Sequence, residues 1–178
     1  MNLIDVPIIG LHGKARAGKD TVGNMMCQML PGKYLYALAD PIRAMLAAIG
    51  IDLNDPYWQD RKEDEIPAFN ASPRRLMQTL GTEWGRETIT PDIWINFMLL
   101  RYSQAGLGMI VTDVRFEGEA ARIRALGGKI IHVVRPDAEV VAPHKSERGL
   151  EVGVNDIVIL NNQTLAELSA TVGKYCGR

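Results

Sequence analysis

Short apolar runs alternate along the chain with longer amphipathic segments. The apolar runs predict five β-strands, at residues 7–12, 34–38, 108–113, 129–134 and 156–160. Strands separated by helical segments are typical of right-handed βαβ units, so we expect an α/β fold with a mainly parallel five-stranded sheet. Ligands bind at the carboxyl ends of such strands. The loops after His12, Ala37, Asp113 and Val134 are therefore expected to carry the functional site.

Capping signals place the starts of several helices. Asp40, Ser72 and Thr90 each precede a proline, a combination favoured where a helix begins. Thr164 and Glu167 form the pattern of a capping box and predict a C-terminal helix. Further helices are predicted at residues 20–30 and 117–126.

The helix predicted after Ser72 has an apolar side. Leu76, Met77, Leu80 and Trp84 recur at helical spacing, and we expect Trp84, like the more distant Trp94, to lie in the core. Residues 52–71 are polar and show no period, so an irregular segment is expected there.

The strongest chemical signal lies directly after the first predicted strand. Residues 13–21 read Gly-Lys-Ala-Arg-Ala-Gly-Lys-Asp-Thr, with Gly13, Gly18 and Lys19 at the spacing of a phosphate-binding loop between a strand and a helix. Glycines let backbone N–H groups surround a phosphate, and the helix N-terminus adds partial positive charge. We expect this loop to bind the phosphates of ATP, with Lys19 bridging β- and γ-phosphate oxygens and Arg16 and Ala17 beside it.

The residue after the lysine departs from the usual pattern. Most such loops have Ser or Thr there, whereas this chain has Asp20 followed by Thr21. Asp20 is expected either to act on Mg²⁺ through water or to cap the helix, and Thr21 to reach a phosphate oxygen. This variant is more typical of nucleoside monophosphate kinases than of GTPases or motor proteins.

A second set of candidates follows the strand at residues 108–113. Asp113 is expected to order the water shell of Mg²⁺ or to orient an acceptor, and Arg115 to hold an acceptor phosphate with two hydrogen bonds. Lys19, Asp113 and Arg115 are thus the candidate catalytic residues. The alternative for Asp113 is a helix cap.

Polar residues on the predicted helices offer a place for a second substrate. Asp40 and Arg43 open one helix, and Arg75 and Gln78 share a face of another. We expect the arginines to contact an acceptor phosphate and Gln78 to contact a base edge.

Cations also follow the fourth strand. Arg135, Lys145 and Arg148 are expected to belong to a small lid and to neutralise charge on the phosphoryl group during transfer. Asn161 and Asn162 follow the last strand and either line an adenine pocket or form a turn.

Composition narrows the classes of partner. The formal net charge of the 178 residues is −1, which gives no basic field for binding nucleic acid. No apolar stretch approaches the ~18 residues of a membrane span, and the N-terminus lacks the pattern of a signal peptide. Cys27 and Cys176 fit no metal-binding or redox spacing. We therefore expect a cytoplasmic protein, in the host cell if a phage encodes it.

Taken together, these segments resemble the phage-type deoxynucleoside monophosphate kinases, a branch of the P-loop kinases. The resemblance rests on segments in the expected order along most of the chain: residues 13–21, 39–43, 75–83, 112–116, 144–147, 155–156 and 161–162. It implies a three-layer P-loop fold, Mg²⁺-dependent transfer of the γ-phosphate of ATP to a deoxynucleoside monophosphate, an acceptor-binding insertion at residues 40–104 and a short lid at residues 135–154. The whole chain is then one kinase domain.

Two other functions share the loop. A related kinase of the phosphomevalonate or dephospho-coenzyme A type would use the same donor site, and a P-loop ATPase or switch would have no acceptor. Asp20 and the lack of a glutamate after Asp113 disfavour the ATPase. Base preference and the choice between ribose and deoxyribose are not readable, and a homodimer through helix faces near Trp94 is an open expectation.

Overall fold

A computed structural model describes residues 2–136 and 149–177. The chain divides into two compact units. Met1–Ala37 together with Met98–Arg178 form one, here called the sheet unit, and Leu38–Phe97 form the other, here called the helical unit.

The sheet unit is built on five parallel strands. They are β1 (Ile8–His12), β2 (Lys33–Tyr36), β3 (Gly108–Val111), β4 (Lys129–Val134) and β5 (Ile157–Leu160), in the order β2-β3-β1-β4-β5. The prediction of an α/β fold with five strands is confirmed, and the sheet is parallel throughout. Because β1 is central, the loop after it lies between the loops that follow β3 and β4.

Helices cover the sheet. They are α1 (Lys19–Met29), α6 (Glu117–Ala125) and α7 (Leu165–Tyr175), while α5 (Ile93–Ala105) contributes residues to both units. The capping box predicted for α7 is present: the Thr164 hydroxyl accepts a hydrogen bond from the Glu167 N–H, and Glu167 Oε2 accepts one from the Thr164 N–H at 3.0 Å. The core of this unit joins one face of β1 and its neighbours to α1 and α7, with fully buried Ile9, Leu11, Val22, Met26, Ile110, Ile131, Ile159 and Val172.

The helical unit contains α2 (Asp40–Ala48), α3 (Pro56–Asp60), α4 (Pro73–Gln78) and a π-helix (Thr79–Ile89). Its small core packs Leu46, Ile51 and Leu53 against partly buried apolar side chains, which are Trp58, Ile66, Leu76, Met77 and Leu80. The segment 52–71, predicted to be irregular, therefore contributes a short helix and packed side chains. Its helix begins after Asp55, whose carboxylate accepts a hydrogen bond from the Tyr57 N–H at 2.8 Å.

The π-helix is the largest departure from the predicted elements. Its hydrogen bonds join residues five apart, as in the 3.1 Å bond from the Thr90 N–H to the Gly85 carbonyl. The three- and four-residue spacing that predicted one apolar side therefore fails after Gln78. Trp84 is 40% exposed, so its predicted place in the core is wrong, whereas Trp94 is 3% exposed as predicted.

Gly81 and Gly85 explain why this segment tolerates the unusual helix. The Gly81 carbonyl accepts hydrogen bonds from Trp94 Nε1 at 2.8 Å and from Arg86 Nη1 at 2.9 Å. The Trp94 ring packs so close to Gly85 that a β-carbon there would lie 2.6 Å from Cζ2. Both contacts require the backbone itself rather than a side chain.

Two predicted helix starts differ from the structure. The cap of α2 is Ala39, and Asp40 is the first helical residue, with its carboxylate paired to Arg43 at 2.7 Å. Helix α5 begins at Ile93 rather than at Thr90, because the Ile93 N–H first closes a turn onto the Thr90 carbonyl. The Ser72 cap of α4 is confirmed by a 3.2 Å bond from the Arg75 N–H to the Ser72 Oγ.

Candidate active site

The phosphate loop lies between β1 and α1, as the sequence predicts. Arg16 and Gly18 adopt left-handed backbone conformations, with φ of 60° and 95°. At Gly13 a β-carbon would collide with the Val133 carbonyl, and at Gly18 with the Asn161 side chain. The two glycines of the motif are therefore required by close approach of neighbouring strands as well as by the curl of the loop.

Lys19 reaches back across the loop from the first turn of α1. Its Nζ donates hydrogen bonds to the carbonyls of Gly13 at 2.8 Å and Lys14 at 2.9 Å. The ammonium group is thereby held against the backbone at the start of the phosphate loop. The loop is closed further by the Ala17 N–H, which donates to the Lys14 carbonyl at 3.2 Å.

Asn161 fixes the loop from the end of β5. Its Nδ2 donates a 2.9 Å hydrogen bond to the carbonyl of the buried Ala17. A cavity of about 370 Å³ adjoins this contact and is lined by Gly18, Thr21, Arg135, Asn161, Asn162, Gln163 and Leu165. The sequence predicts that Asn161 either lines an adenine pocket or forms a turn. In the structure its side chain is hydrogen-bonded to the phosphate loop and lines a cavity.

The predicted acid and arginine after β3 lie in a firmly held loop. The Val114 N–H donates to the Leu11 carbonyl at 3.1 Å, and the Glu119 carboxylate accepts from the N–H groups of Arg115 at 2.9 Å and Phe116 at 3.1 Å. The side chain of Arg115 is exposed, and that of Asp113 is half-buried. Since β3 is the neighbour of β1, this loop and the phosphate loop emerge from adjacent strands at the same edge of the sheet.

Sequence reasoning missed Glu119 and His12. Glu119 is 5% exposed, and its carboxylate takes two backbone N–H groups without the Ser or Thr that marks a capping box. His12 ends β1 and hydrogen-bonds through Nδ1 to the Val114 carbonyl at 2.9 Å. A polar residue at the end of an apolar strand was the available signal for His12.

A buried ionic cluster lies behind the site on β4 and the segment before β5. Asp156 accepts two hydrogen bonds from Arg124, at 3.2 and 2.7 Å, and others from His132 Nε2 at 3.0 Å and the Gly153 N–H at 2.8 Å. Burial alone would raise the pKa of Asp156, but the bonds from Arg124, His132 and Gly153 outweigh it and lower the pKa from 3.8 to about 2. The carboxylate is therefore ionised at neutral pH and holds residues 153–156 against the sheet.

Four of the candidate acceptor residues, Asp40, Arg43, Arg75 and Gln78, lie in the helical unit, whereas Arg115 lies in the sheet unit. Arg43 is paired with Asp40, and the Arg75 guanidinium is paired with Glu83 at 2.6 Å. Both arginines are at least partly exposed, and Gln78 is half-buried at the junction of α4 and the π-helix.

The lid candidates are described only in part. Arg135 is exposed and lines the cavity beside Asn161, whereas Lys145 and Arg148 lie outside the described residues. In the part of the chain that the structure describes, no helix is long and apolar enough to cross a membrane.

Comparison with known proteins gives viral relatives. A putative deoxynucleotide monophosphate kinase of Acanthamoeba polyphaga mimivirus is 27% identical over 93% of this chain and 93% of its own length. The deoxynucleotide monophosphate kinase of Escherichia phage RB69 is 33% identical over 82% of this chain, and that of Enterobacteria phage T4 is 36% identical over 57%. The matches span 55% of the RB69 protein and 44% of the T4 protein.

The family model for deoxynucleotide monophosphate kinase matches residues 61–172. This range includes α4, the π-helix, the loop after β3 and the end of β5, but it leaves out the phosphate loop. The match confirms the predicted nucleotide kinase and disfavours the phosphomevalonate, dephospho-coenzyme A and ATPase alternatives. The chain belongs to the deoxynucleotide monophosphate kinase family.

Proposed function

We propose that this kinase transfers the γ-phosphate of ATP to a deoxynucleoside monophosphate, with the donor bound in the sheet unit. The observation that carries the proposal is the position of Lys19, held over the phosphate loop by the carbonyls of Gly13 and Lys14. When ATP occupies the loop, these backbone bonds can be exchanged for bonds to β- and γ-phosphate oxygens. The loop N–H groups and the N-terminus of α1 add further stabilisation of negative charge.

The cavity beside the loop is a suitable place for the nucleoside part of ATP. It begins at Gly18 and Thr21, which are part of the loop, and continues to Asn161 and Asn162. The amide groups of the asparagines offer both donors and acceptors to a base edge, and Arg135 adds a cation at the rim. The proposed adenine site then adjoins the proposed phosphate site, because Gly18 and Thr21 line the cavity and belong to the phosphate loop.

Arg115 of the sheet unit is proposed to bind the acceptor phosphate. In the helical unit, Arg43 and Arg75 are separately proposed from the sequence as acceptor contacts, with Asp40 and Gln78 in supporting roles. A guanidinium group binds a phosphate through two parallel hydrogen bonds. An oxygen of the acceptor phosphate then attacks the γ-phosphorus, the bond between that phosphorus and the β,γ-bridging oxygen breaks, and ADP leaves. The products are ADP and a deoxynucleoside diphosphate.

The proposed magnesium ligands are chemically suited to the ion. Asp20, Thr21 and Asp113 offer oxygen atoms, and Mg²⁺ usually takes one or two carboxylates together with substrate phosphates and water. No cluster of three or more His, Cys, Asp or Glu side chains that could hold a metal by itself occurs among the described residues. Bound Mg²⁺ would neutralise charge on the transferring phosphoryl group.

Arg135 is the described member of the proposed lid, with Lys145 and Arg148 proposed from the sequence alone. A cytoplasmic location, the absence of nucleic-acid and membrane partners and a homodimer also remain predictions.

A substrate screen tests the proposed function. ADP release from ATP is measured with each of the four common deoxynucleoside monophosphates, with and without Mg²⁺, and the nucleotide products are separated by chromatography. We expect ADP and a deoxynucleoside diphosphate to form in equal amounts with at least one acceptor. ADP formation that no acceptor stimulates would reject the proposal.

A further inference from the structure

The side chain of His12 joins three segments of the sheet unit. His12 is the last residue of β1 and directly precedes Gly13 of the phosphate loop. Its Nδ1 lies 2.9 Å from the Val114 carbonyl, in the loop that carries Asp113 and Arg115. Its Nε2 accepts a 3.1 Å hydrogen bond from the Leu150 N–H.

These two contacts select one tautomer of the imidazole. The Leu150 amide is a donor, so Nε2 must be the unprotonated nitrogen that accepts from it. The Val114 carbonyl is an acceptor, so Nδ1 must be protonated in order to donate a hydrogen bond to it. Neutral His12 with its proton on Nδ1 satisfies both neighbours. The amide of Leu150 thereby determines that the nitrogen facing Val114 is the protonated one.

The ring is also packed in a fixed orientation. His132 on β4 contacts the His12 ring edge-to-face, with ring centroids 5.3 Å apart and planes inclined by 72°. His132 is in turn hydrogen-bonded to Asp156, which Arg124 holds from α6. The imidazole of His12 is thus set by packing on one side and by a backbone amide on the other.

We propose that His12 is a positioning residue for phosphoryl transfer, which fixes the loop of Asp113 and Arg115 relative to the phosphate loop. The Leu150 amide selects the tautomer, and the Nδ1 proton is donated to the Val114 carbonyl. The residues on either side of Val114 are Asp113, a proposed magnesium ligand, and Arg115, the proposed ligand of the acceptor phosphate. Because His12 is adjacent to Gly13, its side chain connects the loop of Asp113 and Arg115 directly to the phosphate loop. The inference rests on the proposed roles of Asp113 and Arg115.

Two conservative substitutions separate the two contacts. In His12→Asn the amide nitrogen takes the place of Nδ1 and still donates to Val114, while the acceptor for Leu150 is lost. In His12→Gln the longer side chain brings its amide oxygen to the place of Nε2, where it accepts from Leu150, and the donor to Val114 is lost. His12→Ala removes both.

The kinetic test compares these variants with wild type. Misplacement of reacting groups by about 1 Å can cost up to about a hundredfold in rate. We expect His12→Ala and His12→Gln to lower kcat/KM for the deoxynucleotide by about 10- to 100-fold, with the KM for ATP changed less than about threefold. His12→Asn should retain activity within about threefold of wild type. Equal losses of kcat/KM for the deoxynucleotide in His12→Asn and His12→Gln would overturn the proposal.

A control separates positioning from loss of stability. Val172→Ala removes two methyl groups from a fully buried site on α7 and is expected to lower the melting temperature. It should leave the ratio of the two KM values unchanged. If Val172→Ala reproduced the kinetic pattern of His12→Gln, the effect of His12 would be structural only.

The tautomer is measurable without catalysis. The chain has three histidines, so the His12 signals in a ¹⁵N–¹H spectrum of the imidazoles are assigned by their disappearance in His12→Asn. We expect the proton on Nδ1 at neutral pH, and faster hydrogen exchange of the Leu150 amide in the Asn variant than in the Gln variant. A proton on Nε2 would overturn the proposal. Failure of every deoxynucleotide as an acceptor would instead reject the proposed function, while the tautomer result would still test the geometry.

Discussion

The two units of the chain hold their candidate residues in different ways. In the sheet unit, the phosphate loop and the loop after β3 are held by backbone atoms, by the buried Glu119 and by the partly buried Asn161 and His12. In the helical unit, Arg43 and Arg75 are exposed and are paired with acids on the same helical segment. The proposed donor site is therefore defined by backbone geometry, whereas Arg43 and Arg75 must exchange a carboxylate for a phosphate in order to act as the proposed acceptor contacts.

Because the phosphate loop is held by backbone geometry, we expect the largest effect on the rate from its lysine, Lys19. Lys19→Ala removes the ammonium group from over the loop and should lower kcat by about a hundred- to a thousandfold, the usual loss when one donor to developing charge is removed. Lys14→Ala is the matched control, because Lys14 lies in the same loop with an exposed side chain. Its rate of ADP release should stay within about threefold of wild type. A comparable loss in both variants would mean that general positive charge, rather than position, matters.

Arg115 should give the next largest effect. Its guanidinium is exposed while its backbone is fixed by Glu119, so Arg115→Ala should remove phosphate contacts without moving the loop. Charge-assisted hydrogen bonds are worth about 1.5–3 kcal/mol, so we expect a 10- to 100-fold loss in kcat/KM for the deoxynucleotide. Arg122→Ala, which removes an exposed arginine from α6, is the control. An unchanged KM for the acceptor in Arg115→Ala would remove Arg115 from the acceptor site.

The ionic cluster of Asp156, Arg124 and His132 predicts that stability depends on pH. Because the pKa of Asp156 is lowered from 3.8 to about 2, its contribution is fully present above pH 4 and is lost as the pH falls toward 2. The shift corresponds to about 2 kcal/mol. Urea unfolding of Asp156→Asn at pH 7 should show a loss of at least this size. The difference between the variant and wild type should shrink between pH 4 and pH 2, and a constant difference would contradict the assignment.

Arg75→Ala should have the smallest effect of these variants. We expect it to weaken binding of the deoxynucleotide rather than to lower stability. Exposed ion pairs contribute about 0–1 kcal/mol, so Arg75→Ala should change the free energy of unfolding by less than about 1 kcal/mol. The KM for the deoxynucleotide should rise about tenfold. Arg74→Ala is a close control, since Arg74 is a neighbouring exposed arginine on α4 that pairs with Glu63. Equal KM values in the two variants would show that Arg75 does not bind the acceptor.

The sequence predicted the sheet unit well because its signals are local. Five apolar runs indicated five strands, and Gly13, Gly18 and Lys19 indicated the phosphate loop, since motif and strand-to-helix context coincide. Glu119 and His12 were missed because their partners are backbone groups brought close only by the fold. His12 meets Leu150 across a separation of 138 residues, which no local pattern encodes.

The helical unit was predicted less well, and the cause is the π-helix. Its five-residue hydrogen-bond spacing has no signature in a pattern read at three and four residues, so Trp84 was expected in the core but is exposed. Gly81 and Gly85 were the relevant signal, because a helix with two glycines four residues apart offers its backbone to neighbours such as Trp94. The polar segment 52–71 similarly hid Trp58 and Ile66, whose burial depends on packing against Leu46 and Ile51.

The central claim is that one set of residues binds the donor and another binds the acceptor. Calorimetric titration of wild type, Lys19→Ala and Arg115→Ala with ATP alone and with a deoxynucleoside monophosphate alone tests it directly. We predict that Lys19→Ala loses affinity for ATP and keeps affinity for the monophosphate, and that Arg115→Ala shows the reverse. Loss of ATP affinity alone in both variants would contradict the division of the site into a donor half and an acceptor half.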